Sequence, residues 1–183
     1  MNSYIVFTAG VDKITAAKLR AAVTDAFNSG VKEITIFISS NGGDVFEGLG
    51  IAAFIRALEV PIVTHNIGQI DSVANVIFAA GKERLASPNS SFLFHGVVMN
   101  FEKVSLLESQ LEEQLTNVKR LKESMATNYS SYTGVPVRVV NDLMAKGGGG
   151  FLSAKEALVL KIIDSIEDPI IPTGVNVISI GNS

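Results

Sequence analysis

The sequence predicts an α/β fold built round a mainly parallel sheet, and three observations carry that expectation. Short β-rich runs alternate with helical runs through the first two thirds of the chain, the order that βαβ crossovers produce. The runs Ile34-Thr35-Ile36-Phe37-Ile38 and Ile62-Val63 are almost wholly apolar, as befits strands covered on both faces. The punctuation agrees, with Gly30 just past the first helical run and Pro61 opening the third strand.

Taken in order, the expected elements are a strand over 4–8, a helix over 14–28, a strand over 33–39, a helix over 45–58, a strand over 62–67 and a helix over 72–80. A hydrophobic strand, Phe92-Leu93-Phe94, then ends in His95. Beyond it the period changes to one long helix over about 104–132, with Leu107, Leu111, Leu115, Val118, Leu121 and Met125 at three- and four-residue spacing. That is a single apolar stripe on a charged rod, suited either to packing on its own domain or to an arm that pairs with another subunit. Thr133-Gly134-Val135-Pro136 breaks the helix, a short helix follows over about 137–146, and residues 147–150 are four glycines expected to form a loop. A last helix starts at Ser153, and the tail from Pro169 is β-prone.

A chain of 183 residues, 47% hydrophobic, fits one domain with an ample core. Its mean hydropathy of +0.34 is high, yet no apolar run reaches the roughly 18–20 residues of a membrane span; subunit interfaces account better for the excess. The N-terminus has no basic run and its apolar stretch is strand-length, so no signal peptide is read there and a cytoplasmic location is expected. With no cysteine, disulfides and thiolate chemistry are excluded. A net charge of −3 without a dense Lys/Arg cluster argues against nucleic acid, and two histidines without a carboxylate cluster argue against a metal site. No cofactor is expected.

The chemistry-bearing residues lie in three segments. Ser39-Ser40-Asn41-Gly42-Gly43-Asp44 is a glycine turn after a strand, Gly68-Gln69-Ile70-Asp71-Ser72-Val73 places a serine at the start of an apolar helix, and His95 ends a strand. A serine attacking an acyl carbon needs a base, donors for the oxyanion and a group that orients the base. Gly43 permits close backbone approach, and the Val73 amide belongs to the unsatisfied first turn of a helix. Each residue has a plain alternative: Ser72 and Asp44 as helix N-caps, His95 and His65 as satisfied core histidines. Asp71 reads as an N-cap too, since neighbouring helical residues point about 100° apart.

In combination, Gly42-Gly43, Gly68-Gln69-Ile70-Asp71-Ser72 and Pro88-Asn89-Ser90-Ser91-Phe92-Leu93-Phe94-His95 resemble the proteolytic subunit of the Clp protease, as do Phe151-Leu152-Ser153-Ala154-Lys155-Glu156-Ala157 and Ile163-Asp164-Ser165-Ile166. The resemblance covers roughly residues 5–166. It implies a ClpP/crotonase-like spiral of βαβ units, with a head of about 1–98 and 147–183 and a projecting helical handle of about 99–146. It implies a serine endopeptidase with Ser72 as nucleophile, His95 as base and the Gly43 and Val73 amides as oxyanion hole. The implied assembly is a homo-oligomeric ring, in stacked pairs joined by handles, acting on peptides or unfolded protein.

Two departures stand out. Where the family has its third triad member, an aspartate, this chain has Gly149; in a serine protease disabling that residue costs about 10⁴ in rate. Asp142 is the nearest upstream carboxylate and the candidate stand-in, and Asp71 sits where the family has a small residue. The chain also begins almost at the first strand, without the segment that forms axial loops in the family, which puts docking to a Clp-type ATPase in doubt. Alternative readings are a weak or inactive ring or scaffold subunit and, less favoured, an acyl-CoA enzyme of the crotonase type, whose fold shares an amide oxyanion hole.

Overall fold

The computed structural model describes residues 1–98, 105, 107–145 and 149–182. Strands β1 (Asn2–Thr8), β2 (Glu33–Ser40) and β3 (Ile62–Asp71) run parallel and are joined by helices α1 (Lys13–Asn28) and α2 (Val45–Ala57). Then come α3 (Ala74–Ala79), β4 (Glu83–Ala86), β5 (Ser91–Phe94), α4 (Glu108–Thr133), α5 (Val137–Ala145), β6 (Gly150–Ser153), α6 (Ala154–Val159), β7 (Ser165–Ile166) and β8 (Val177–Gly181). The sheet runs β6-β5-β3-β2-β1-β8, with β4 branching from β3 and β7 pairing with β4. All pairs are parallel except β5 with β6.

The apolar runs behave as their composition requires. Ile34 to Ile38 of β2 are all buried, Ile34, Ile36 and Ile38 in the hydrophobic core and Phe37 on the opposite face against Tyr4 and His65. Asp12 caps α1 through Ile14 N and Thr15 N, and Asp44 caps α2 through Glu47 N at 3.0 Å, satisfying first-turn donors. Gly30 at φ 71° stops α1 in the left-handed conformation expected of a glycine just past a helix.

The feature that positions the site is the length of β3. It extends four residues beyond the expected end at Ile67 and changes partner on the way, pairing β4 through Val63–Asn66 and β5 through Gln69–Asp71. Buried Asn66 fixes the branch point: its side-chain amide donates to Ser91 O at 2.8 Å, and its oxygen accepts from Gly68 N at 3.0 Å.

Three expectations change accordingly. Ser72 and Val73 precede α3, which begins at Ala74. Asp71 is the last residue of β3 and caps nothing; its carboxylate accepts from Gln69 Nε2 at 2.6 Å, because residues two apart on a strand share a face. Gly150 opens β6 opposite Phe94 rather than lying in a glycine loop, while the expected loop residues 147–148 lie outside the described residues. The expected start of the long helix at Val104 also lies outside them; α4 is described from Glu108. Of its stripe, Met125 is buried, whereas Leu107, Leu111 and Leu115 are more than half exposed. The β-prone tail adds β8 to the sheet edge beside β1. Among the described residues no helix is long and apolar enough to cross a membrane.

Candidate active site

Ser72 occupies a sharp strand-to-helix turn. Its φ is 55°, one of two positive values among described residues other than glycine, and a non-glycine residue is held there only where surrounding contacts over-determine it. Those contacts are visible. Ser72 N donates to Leu93 O at 3.0 Å, and the buried Asn75 amide donates to the same carbonyl at 2.9 Å and to Ser72 O at 3.2 Å. Asn75 therefore pins the turn to β5. The only sequence signal for it is a polar residue inside the otherwise apolar α3.

The plain alternative for Ser72 is removed by this geometry: α3 has Val73 at its N-cap position and no side-chain cap. Asp44, by contrast, does cap α2.

The Gly42-Gly43 turn lies directly against the serine. A methyl at position 42 would stand 2.7 Å from Asp71 O, 2.7 Å from Ser72 Cβ and 3.3 Å from Val73 N, and the residue has φ 77°. Gly43, at φ 145°, leaves no room for a Cβ against Val11 O. The turn is held by Val11, whose N donates to Gly42 O and whose O accepts from Asp44 N, both at 2.7 Å. Among the described residues no acceptor takes the N–H of Gly43 or of Val73. Gly48 lets α2 close onto the Val73 side chain, a requirement that the sequence does not advertise.

His95 follows β5 and is half-buried. Its Nδ1 lies 2.6 Å from Gly96 O; a carbonyl can only accept, so Nδ1 carries the proton and Nε2 presents its lone pair in the neutral ring. No hydrogen bond joins His95 to Ser72 among the described residues. Their link is Leu93, which bonds Ser72 N through its carbonyl and stands two residues before the histidine.

Asp71 is buried, with Oδ1 unpaired and Oδ2 on Gln69. Burial pushes its carboxyl above the usual carboxylate value, while the Gln69 amide and the His95 imidazole pull it back. Asp142 lies on the exposed side of α5, whose buried side is Val140, Leu143 and Met144, and no bond ties it to His95 among the described residues. Gly149 has φ 92°, and a methyl there would stand 2.6 Å from Leu93 Cδ1 and 3.0 Å from Phe94 O. His65 is elsewhere, buried on β3 with Nε2 3.1 Å from Glu167 O. No group of three or more potential metal ligands occurs among the described residues.

A family model described as Clp protease matches residues 1–169. The ATP-dependent Clp protease proteolytic subunit of Deinococcus radiodurans is 30% identical over 139 residues, covering 75% of this chain and 66% of that protein. The subunit of the same description from Porphyromonas gingivalis is 29% identical over 170 residues, 91% of this chain and 74% of that protein. That from Pleurastrum terricola is 31% identical over 137 residues, 74% of this chain and 67% of that protein. This chain thus spans roughly two thirds to three quarters of the length of these relatives. The long α4 on a mixed α/β body agrees with a match over nearly the whole sequence, and the chain belongs to the Clp protease family.

Proposed function

We propose that this chain is a serine peptidase that hydrolyses peptide bonds through an acyl-enzyme on Ser72. The observation that carries the reading is the strained turn at Ser72, with φ 55°, overhung by Gly42 and flanked by the N–H groups of Gly43 and Val73, which have no acceptor among the described residues. Strain of this kind persists where geometry is enforced for a purpose, and here the hydroxyl has no capping duty to explain it.

In this mechanism Ser72 Oγ attacks the scissile carbonyl carbon while His95 Nε2 takes its proton. The two N–H groups hold the oxyanion; one such donor in a serine hydrolase is worth about 2.7–4 kcal/mol. The imidazolium then protonates the leaving amine, and water, deprotonated by the same ring, releases the acyl group. Catalytic hydrogen bonds often tighten only in the substrate complex, so formation of the Ser72–His95 bond is assigned to that stage. The relatives' description as proteolytic subunits supports peptide bonds as the target. Peptides and unfolded segments are the expected substrates, and the exposed leucines of α4 the surface for pairing with copies in a facing ring.

The test is hydrolysis of fluorogenic peptides by the wild type, Ser72→Ala and His95→Ala. Activity lost in both variants supports the assignment; activity retained by Ser72→Ala overturns it. Gly149 favours a second reading, a ring or scaffold subunit without turnover, which predicts intact oligomers by native mass spectrometry and no hydrolysis by any form.

A further inference from the structure

The residue that matches the family's aspartate has no side chain, and its backbone conformation disfavours one. At φ 92° a side chain at position 149 is strained, and it would have to displace the Leu93 side chain and crowd the Phe94 carbonyl at 3.0 Å. A carboxylate reaches this region from the other neighbour of β5. The β3–β5 register pairs Gln69 with Ser91, Ile70 with Phe92 and Asp71 with Leu93. Strand alternation therefore puts Gln69 and Asp71 on the same face as Ser91 and Leu93, opposite the core face of Ile70, Phe92 and Phe94. Continued by one more alternation, that face carries His95.

We propose that the work of the missing aspartate is divided in this chain: the Gly96 carbonyl fixes the tautomer of His95, and the Asp71 carboxylate supplies the negative charge that stabilises the imidazolium. The inference rests on the reading of Ser72 and His95 as nucleophile and base.

Three observations bear on it. His95 Nδ1 is already held by Gly96 O at 2.6 Å, so the orienting hydrogen bond exists without a carboxylate. Asp71 Oδ1 is buried without a partner, an arrangement that is unfavourable, most of all for a charged oxygen, and is offset if a positive charge develops nearby during the reaction. Among the described residues the groups acting on Asp71 are the Gln69 amide on its own strand and the His95 ring beyond β5. From the neighbouring elements, Gly149 has no side chain and Asp142 of α5 is exposed. Asp71 makes no direct hydrogen bond to His95 among the described residues; it is a positioning residue that works through space, by charge.

The test is the series Asp71→Asn and Asp71→Glu, read by peptide hydrolysis across pH and by NMR titration of the His95 ring, the only other histidine being His65. Asp71→Asn is expected to lower kcat by about 10²-fold with KM little changed. That is less than the ~10⁴-fold loss for a hydrogen-bonded aspartate, because the charge acts at longer range. The apparent pKa of His95 falls in the same variant, and Asp71→Glu restores much of both. An unchanged kcat or an unmoved His95 titration in Asp71→Asn overturns the proposal. If the wild type hydrolyses nothing, the peptidase reading fails by itself and the titration still decides whether Asp71 and His95 are paired.

Discussion

Gly42 and Ser72 are in van der Waals contact across the strand-to-helix turn, so close that a methyl on the glycine would stand 2.7 Å from Ser72 Cβ. The contact makes the backbone of one loop the roof of the other. Gly42→Ala must displace backbone, Asp71 O and Val73 N, and also places a residue with a Cβ at φ 77°, which costs roughly 1–2 kcal/mol. Expected is a loss of peptide hydrolysis of about 10²-fold or more, comparable to removal of an oxyanion donor, with the fold retained by circular dichroism. The control is Gly50→Ala on α2, where nothing lies within 4 Å; it should leave activity unchanged and raise stability by about 0.5–1 kcal/mol.

Restoring the family's aspartate should not restore a triad. Gly149→Asp meets Leu93 Cδ1 and Phe94 O and is strained at φ 92°. The variant is expected to lower the unfolding midpoint in urea without a gain in kcat. A gain would show that β5 and the 149 turn can shift apart.

Removing the buried charge at Asp71 should make the protein more stable. Its carboxyl binds a proton more tightly folded than unfolded, so the penalty for ionising it appears as pH rises through the carboxylate range and stays above it. At neutral pH Asp71→Asn is expected to raise the urea midpoint, because the raised carboxyl pKa marks ionisation as unfavourable in the folded protein, while activity falls. A loss of both stability and activity would mark the residue as structural only.

His65 should confer acid sensitivity. Burial lowers its pKa against the opposing pull of the Glu167 carbonyl and the Glu167 and Asp168 charges. The unfolded chain is then the better proton acceptor, and stability falls as pH drops below the ordinary histidine value of about 6.5, levelling off below the folded one. Urea midpoints at pH 7.5 and 5.5 check it: the fall in midpoint on acidification should be visibly smaller in His65→Gln than in the wild type.

Leu111 and Leu115 are 51% and 54% exposed on α4, so their cost to the isolated subunit is small. Leu111→Glu with Leu115→Glu is expected to change subunit stability by about 0.5 kcal/mol or less and to shift native mass spectra toward smaller species. An unchanged oligomer would assign the stripe another role.

Much of this was legible in the residues. Apolar runs at Ile34 and Ile62, Gly30 and the Asp44 cap define the βαβ repeat because local pattern and tertiary burial agree there. The glycine and serine motifs around Gly42 and Ser72 likewise belong to two turns that lie against each other. What local pattern could not show is where β3 changes partner, because Gly68-Gln69-Ile70-Asp71 has the look of a loop and pairs β5 only in the folded sheet. That hid the strand role of Asp71 and the positive φ of Ser72. Asn66, Asn75 and Gly48 act through contacts with distant chain, and no spacing rule announces them.

The central claim is that Ser72 is an activated nucleophile. Its most direct test is intact-mass analysis after exposure to a fluorophosphonate, with peptide mapping of the adduct, on the wild type and on Ser72→Ala. The account predicts one adduct per chain, mapped to Ser72 and absent from the variant. A folded wild-type protein that takes up no adduct, or an adduct that persists in Ser72→Ala, would contradict it.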